Sequence, residues 1–524
     1  MAGALGIGVR RGGGAAAPVS WAAVSAGVLG SGHRPSGCVA RPVWGAAAAA
    51  WSSLLLCWTH AYLPALAPLA PVPLLQALAL SGRRRGFYLG LGCGMGEAAV
   101  LAGMCHVGWQ IWLFLVLFYG LGRALFACFW QRLGAASGGW GAATGGALWL
   151  AVERLQAAVP LSLPTLLGDT QHTGPWLPLA RLGGTYWVSG ALVWTAGVIR
   201  LWFAAAAEPG KRAAGWGGEG SAGVWPWRAT GALALALAVA RLAAWADAAI
   251  GAAGVGAAGG PTATVRLVQG GLPSWLYDRA RSEPSWAGLP ESVYDHLTRS
   301  GPAVDLTIWP ETAVNGWWGS DRALMGRLHD LSAVRGALLV GLPRRDAAGA
   351  AFNSAIWLPK GTGTAMVWDK SRLALGAEAG FTPGELAVPW SWQGGSLGLI
   401  FCLESVVPER ARVLAAAGAG VLVVLAEGGR LGGTLVGRLH AQRSVVRAVE
   451  TGRSVLHVGQ HGFTQIIAAD GSRTAPLPPF VAATQVGRVA LAAAPSMYVK
   501  MGDWMLGVWL AIGLRGASVR RRAP

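Results

Sequence analysis

Leu399-Ile400-Phe401-Cys402-Leu403-Glu404 is the stretch on which the fold of this chain turns. An apolar run ends on a thiol, and a carboxylate follows two residues later. Such a run, starting at Leu397, has the pattern of a buried strand, and in layered α/β folds reactive groups gather where strands end. Cys402 is also the only cysteine in the C-terminal half, the others being Cys38, Cys57, Cys93, Cys105 and Cys128. With no second cysteine nearby it has no disulfide partner in its own domain, which leaves an inert core thiol or a nucleophile.

Two more strand ends carry reactive groups. Leu306-Thr307-Ile308-Trp309-Pro310-Glu311 places a carboxylate after a strand and a proline, and Val367-Trp368-Asp369-Lys370 ends on one of only four lysines, with Lys211, Lys360 and Lys500. Around them, residues 262–490 alternate short β-rich runs with helical stretches. Strands are predicted at 264–268, 304–309, 337–341, 352–358, 365–368, 397–402, 421–425, 454–458 and 464–468, and helices near 287–299, 320–335, 405–417 and 435–451. The alternation predicts an α/β layered domain. The three groups are what acyl transfer through a thioester needs: Cys402 to attack a carbonyl, Glu311 to take the thiol proton, Lys370 to stabilise the oxyanion. Singly, each is ordinarily a structural residue; in order and in context they form a candidate catalytic set.

The rest of the chain has another character. Of 524 residues, 53% are hydrophobic and 13% charged, about half the charge of an ordinary soluble domain. This excludes disorder and argues against a single-domain cytosolic enzyme. Apolar segments lie near 43–61, 62–80, 87–107, 110–131, 139–160, 182–206 and 229–251, each approaching the roughly 20 residues that cross a bilayer. A shorter run covers 504–514. Pro64, Pro68, Pro71 and Pro73 predict a kinked or re-entrant second segment. Residues 1–42 form a Gly/Ala-rich extension, and the first strong apolar run starts too late for a cleavable signal peptide.

The formal charge of +18 collects in short runs beside apolar segments: Arg10-Arg11, Arg83-Arg84-Arg85, Lys211-Arg212 and Arg520-Arg521-Arg522. Cytoplasmic membrane loops look like this, so the charge marks topology and not a nucleic-acid partner. If Arg83–Arg85 are cytoplasmic, Arg132 and Lys211-Arg212 fall on the same side. Residues 262–490 are then extracytoplasmic, and a last span at 503–515 returns a basic tail, 516–524, to the cytoplasm. Glu97, Arg123, Glu153 and Arg154 interrupt the spans, where snorkelling or an internal ion pair is expected. The nine histidines are scattered without metal-ligand spacing, and no metal or other cofactor is expected.

Glu311, Lys370 and Cys402, in this order and these flanks, resemble the nitrilase (carbon-nitrogen hydrolase) superfamily. Trp309-Pro310-Glu311-Thr312-Ala313 with Val268-Gln269-Gly270 resembles its membrane-embedded branch, the apolipoprotein N-acyltransferases. So do Pro178-Leu179-Ala180-Arg181-Leu182-Gly183-Gly184-Thr185-Tyr186-Trp187-Val188-Ser189, Gly502-Asp503-Trp504 and the helix from His440-Ala441-Gln442 to Arg447-Ala448-Val449-Glu450-Thr451-Gly452-Arg453. The resemblance covers about residues 43–515. It implies an αββα sandwich inserted into a polytopic domain of about eight spans, a Glu311-Lys370-Cys402 triad, and supporting carboxylates at Glu404 and Glu378. It also implies the activity: an acyl chain passes from a phospholipid to the cysteine, then to the α-amine of an apolipoprotein's N-terminal diacylglyceryl-cysteine. The expected setting is a monomer in the bacterial inner membrane.

Two stretches depart from the family. After the lysine, His-Leu-Val-Pro-Phe-Gly-Glu is replaced by Ser371-Arg372-Leu373-Ala374-Leu375-Gly376-Ala377-Glu378, which runs directly into Phe381-Thr382-Pro383-Gly384 and shortens the expected lid. After Leu425, Asn-Asp-Ala-Trp-Phe is replaced by Ala426-Glu427-Gly428-Gly429-Arg430-Leu431-Gly432. Loops of this kind set substrate access. Two alternatives stay open: a membrane-anchored amidase that uses water as acceptor, and a non-catalytic membrane component of a secretion or conjugation apparatus.

Overall fold

Helices built from long apolar runs carry a domain of alternating strands and helices, and the two parts share one continuous core. The computed structural model describes residues 40–133, 138–159, 163, 165–207, 225–256, 260–361, 363–374, 378–431 and 433–522. Most of the N-terminal extension, with Arg10-Arg11 and Cys38, the pair Lys211-Arg212 and the last two residues lie outside the described residues.

The N-terminal helices are α1 (Ala40–Ala61), α2 (Val72–Ala79), α3 (Arg83–Glu97), α4 (Trp109–Leu133), α5 (Gly138–Ala157), α6 (Ala180–Ala207) and α7 (Trp225–Gly256). Among the described residues, four helical stretches are long and apolar enough to cross a membrane: Arg83–His106, Trp109–Leu133, Leu177–Ala206 and Trp227–Ala249. The count reached on length and apolarity is thus four, against the eight expected. The run at 62–80 is the clearest difference. It breaks into a 3-10 turn at Pro64–Leu66 and the eight-residue α2, with prolines at both helix starts, where the missing donor does least harm. Outward-facing Trp51, Leu117, Leu121, Leu125, Leu242 and Trp245 are exposed, the surface that hydrocarbon would cover.

Glycines set the closest helix pair. Gly86, Gly90 and Gly94 lie one turn apart on α3, and a Cβ on Gly90 would stand 2.5 Å from the backbone oxygen of Arg123 on α4, so the two backbones touch. Of the ionisable residues in the bundle, Glu97, Arg123 and Glu153 find partners internally, whereas Arg154 pairs with Glu409 and Asp503 of the C-terminal part. Arg123 donates to both oxygens of Glu97 at 2.8 Å and stacks 3.6 Å over Trp149. Glu153 accepts from Trp149 Nε1 and Leu167 N.

The C-terminal part has two sheets. The first has strand order β11-β1-β2-β3-β4-β5: β1 (Thr262–Gln269), β2 (Leu306–Ile308), β3 (Ala337–Arg345), β4 (Ala351–Leu358), β5 (Met366–Asp369) and β11 (Ala483–Ala490). The second has the order β10-β9-β8-β7-β6: β6 (Trp390–Trp392), β7 (Gly395–Phe401), β8 (Val421–Ala426), β9 (Ser454–Gly459) and β10 (Gln465–Ile467). β1, β2 and β3 run parallel, as do β7, β8 and β9. Alternation decides the layers. Val421, Val423 and Leu425 face inward against Val265, Leu267 and Ile308 of the first sheet, while Leu422 and Val424 face the helices. Helices α9 (Leu289–Arg299) and α10 (Arg322–Arg335) cover the first sheet through Tyr294, Leu324, Leu328 and Leu331. α11 (Pro408–Ala416) and α12 (Leu435–Thr451) cover the second. The result is the αββα sandwich. The short α8 (Ser274–Ser282) and strands β6 and β11 add to the predicted elements, and the strand predicted to reach Cys402 stops at Phe401.

α12 is buried on both sides. Val445, Val446 and Val449 join the core that continues into α6 and α2. Its polar face receives the membrane part: Asp169 pairs with Arg447 at 2.9 Å and Arg443 at 3.4 Å, and Arg447 pairs with Glu450 at 2.8 Å. A break in α6 completes the joint. Gly184, at φ +72°, interrupts the helix against the Tyr498 ring, and Thr185 N, freed from its helical partner, donates to Glu450. The sandwich lies at one end of the bundle, where Gly103 meets Thr434 and Val436. Gln131 at the opposite end reaches Leu78 and Ser81, which puts Arg83–Arg85 and Arg132 there together. After α13 (Met497–Met501), α14 (Trp504–Arg522) starts on the sandwich side, bonded through Trp504 Nε1 to Leu182, and its helix continues past the expected 514 to Arg522.

Replacing Arg447 with Ala leaves Asp169 and Glu450 as buried carboxylates without their shared cation, which costs about 3–5 kcal/mol. Arg299→Ala, which breaks an exposed pair with Asp295, costs under about 1 kcal/mol. Thermal unfolding in detergent should show a large fall in midpoint for the first and a small one for the second; equal shifts would contradict the buried joint.

Candidate active site

The three predicted groups meet where strands of both sheets end. After β2, Pro310 turns the chain and Glu311 points into the sandwich, followed by Thr312 at φ +47°. Glu311 Oε1 accepts from Lys370 Nζ and from Asn353 Nδ2, both at 2.8 Å, and its Oε2 accepts from the backbone N of Glu427 at 3.0 Å. Lys370 follows β5, and its own backbone N donates to Asn353 O. The ammonium also pairs with Glu378, at 2.9 Å from Oε2 and 3.0 Å from Oε1. Glu378 is held in turn by Asn353 Nδ2 and Ala374 N, each at 2.5 Å. The position read as a supporting carboxylate therefore belongs to the lysine's own cluster.

Cys402 begins a 3-10 turn directly after β7, with φ +32°. A non-glycine residue held there costs on the order of 1–3 kcal/mol and persists only when its surroundings over-determine it. The surroundings are visible. Sγ donates to Glu427 O at 3.4 Å, while Ser405 Oγ and His440 Nε2 lie 2.8 and 2.9 Å from Cys402 O. Glu404 is buried and does not join the cluster. It accepts from Ser371 N, Ser371 Oγ, Arg372 N and Phe401 N, clamping the turn after the lysine to the turn of the cysteine.

Electrostatics set the resting protonation. Burial pushes the Cys402 thiol well above its ordinary range, and the Glu311 carboxylate adds to this against the pull of Lys370. Burial likewise raises Glu311, opposed by Lys370. For Lys370 burial works against the charge, but Glu311, Cys402 and Glu378 hold the ammonium above the usual lysine range. The resting site is thus a neutral thiol beside a carboxylate of raised basicity and a fixed cation. A neutral thiol is a poor nucleophile until a base removes its proton, and here a carboxylate and an ammonium act on it from the same cluster. Burial holds His440 down to about 4, so it is neutral.

Three residues at the site escape sequence reasoning. Glu427 directly follows β8 and satisfies the same strand-end rule that found the others. Asn353 lies inside β4, and His440 inside α12, with no local signal to set them apart.

Residues 264–497 match the carbon-nitrogen hydrolase family model. An apolipoprotein N-acyltransferase of Geobacter metallireducens is 26% identical over 287 residues, covering 50% of this chain and 53% of that one. One from Azotobacter vinelandii is 29% identical over 418 residues, covering 72% and 73%. The chain thus spans about half the length of the first relative. Among solved structures, an amidase from Nesterenkonia sp. aligns at 21% identity over 48% of this chain and 96% of that one, with a TM-score of 0.35.

Because burial keeps the Cys402 thiol protonated near neutral pH, its alkylation by iodoacetamide at about pH 7.5, read by peptide mass spectrometry, should be slower than that of the exposed Cys105 and should rise steeply with pH. A Cys402 rate that exceeds that of Cys105 at about pH 7.5 and does not change with pH would contradict the buried neutral thiol.

Proposed function

We infer that the chain belongs with the apolipoprotein N-acyltransferases, a multi-pass membrane branch of the carbon-nitrogen hydrolases, and that Glu311, Lys370 and Cys402 are its catalytic residues. The donor is a membrane phospholipid and the acceptor the α-amine of a lipoprotein's diacylglyceryl-cysteine.

In the first half-reaction Glu311 takes the Sγ proton and Cys402 attacks the ester carbonyl. Lys370 faces the resulting oxyanion, the ester C–O bond breaks, and the lysophospholipid oxygen leaves with the proton from Glu311. In the second, the neutral acceptor amine attacks the thioester, the C–S bond breaks, and its proton returns through Glu311 to the thiolate. Glu378 and Asn353 keep the lysine in place, and Glu404 fixes the two turns relative to each other.

One observation favours lipid over a water-borne amide. The nucleophile's own turn packs on the membrane part: Leu403, Val406 and Val407 share an apolar cluster with Leu101, Met104, Leu115 and Val116. An anchor alone would not need the reactive turn on that surface. Nearby, a cavity of about 200 Å³ lined by Leu54, Cys57, Trp58, Ala61, Tyr62, Ala99, Val100 and Leu435 suits a hydrocarbon chain.

Sidedness follows the basic residues. Arg83–Arg85 and Arg132 sit at the end of the bundle away from the sandwich, and the positive-inside rule makes that end cytoplasmic. The sandwich is then on the periplasmic face of a bacterial inner membrane. All three catalytic groups come from one chain, so a monomer suffices.

Purified protein incubated with acyl-labelled phospholipid should carry the label as a thioester on Cys402 and pass it to a diacylated lipopeptide amine. Cys402→Ser should give no thioester, and Glu311→Gln should slow its formation by about 10²–10⁴-fold. Release of free fatty acid without transfer would instead support the hydrolase reading, and a labelled serine variant would refute the assignment of the nucleophile.

A further inference from the structure

Beside the nucleophile, the stretch that replaces the family's Asn-Asp-Ala-Trp-Phe run builds a polar recess. Measured from the point where a Cβ on Gly429 would stand, Ser274 Oγ is 2.5 Å away, His461 Cε1 2.6 Å and Glu427 Oε1 2.7 Å. Three groups from three separate segments therefore converge on one side of Gly429. His461 is 1% exposed and bonds through one ring nitrogen to the Leu272 backbone, which leaves the other without a partner among the described residues, and the buried Ser274 Oγ has none either. The Glu427 carboxylate accepts from Gly429 N and forms no ion pair among the described residues. Unsatisfied buried polar groups are costly and call for a reason.

The recess adjoins the chemistry and opens outward. The backbone of Glu427 accepts from Cys402 Sγ and donates to Glu311. Ser274, Glu427 and Gly429 are each partly exposed, and Trp275, Phe480 and Val481 form an exposed apolar rim. Phe480, at φ +59°, is held there by its backbone bond to His461 O and turns its ring toward the imidazole.

Resting on the acyltransferase reading above, we propose that Glu427, His461 and Ser274 form the acceptor subsite and bind the primary ammonium of the incoming amine. The chemistry matches in number: an ammonium has three N–H donors, and the recess offers a carboxylate, a neutral imidazole nitrogen and a hydroxyl oxygen. Burial holds His461 down to about 4, which keeps an acceptor lone pair available near neutral pH. One ammonium proton passes to the Glu427 carboxylate, and the neutral amine then attacks the thioester. Glu427 afterwards releases that proton to water. Gly429 is small because any side chain there would collide with the three groups that bind.

The donor's headgroup can carry the same ammonium chemistry, and the test separates the two sources. Thioester on Cys402 is followed by intact-protein mass spectrometry with phosphatidylethanolamine or phosphatidylglycerol as donor, then resolved with a diacylated lipopeptide or with hydroxylamine, a mostly neutral nucleophile. In Glu427→Gln, resolution by the lipopeptide relative to hydroxylamine should fall at least about 30-fold, with a raised KM, as loss of a charged hydrogen bond predicts. Glu427→Asp should recover part of it, and Gly429→Ala, which keeps all three polar side chains but puts a methyl group between them, should show the same selective defect. A ratio within about threefold of wild type in both Glu427→Gln and Gly429→Ala overturns the proposal. So does loss of thioester with phosphatidylethanolamine alone, which assigns the recess to the donor, or with both donors, which makes Glu427 a positioning residue. A wild-type protein that forms no thioester from either phospholipid sinks the acyltransferase reading itself.

Discussion

A single buried ammonium organises this molecule. Lys370 is almost wholly removed from water, and an isolated charge in such a place costs several kcal/mol. It is tolerated because Glu311 and Glu378 both accept from it. Those carboxylates need donors of their own, and they find them in Asn353, Ala374 N and the backbone N of Glu427. One cation thereby ties together the ends of β2, β5 and β8, the middle of β4 and the turn after the lysine. The network also fixes protonation around Cys402, since the lysine and Glu311 act on the thiol in opposite directions.

How much of this was legible follows from where each signal lies. Strands β2, β7 and β8 are short apolar runs ending in chemical groups, so both their existence and their reactive residues stand out. β6 alternates tryptophan with an exposed serine and lacks the apolar run that marks β2. β11 is an edge strand with a single buried residue, so it lacks the apolar run that marks buried strands. Asn353 is invisible because a polar residue inside a strand does not announce which carboxylates it will bridge. Glu427 was within reach of the strand-end rule, but its stretch differs from the family's and reads first as a loss. In the membrane part, prolines reveal that 62–80 is irregular, yet only the three-dimensional arrangement shows how short its helix is.

The two halves meet through α12, and that junction has chemical as well as mechanical meaning. One face of the helix seals the second sheet, and the other receives Asp169 and the break in α6. His440 on the same helix reaches the carbonyl of Cys402. A displacement of the membrane helices against α12 would thus be felt at the peptide group of Cys402. The acyltransferase reading gains from this, since the donor has to come from the side on which those helices stand.

The contacts that join the halves are also very distant along the chain. Asp169 and Arg447 are 278 positions apart, and Leu182 and Trp504 are 322 apart. Closing such loops is slow, because their entropy is lost before any contact rewards it. Synthesis runs from the N-terminus, so the acidic residue is in place long before its arginine exists. The seat for α12 is therefore made before α12 itself. The last helix, α14, comes later still and packs back onto α5 and α6, so the helical part is closed only by the final segment of the chain.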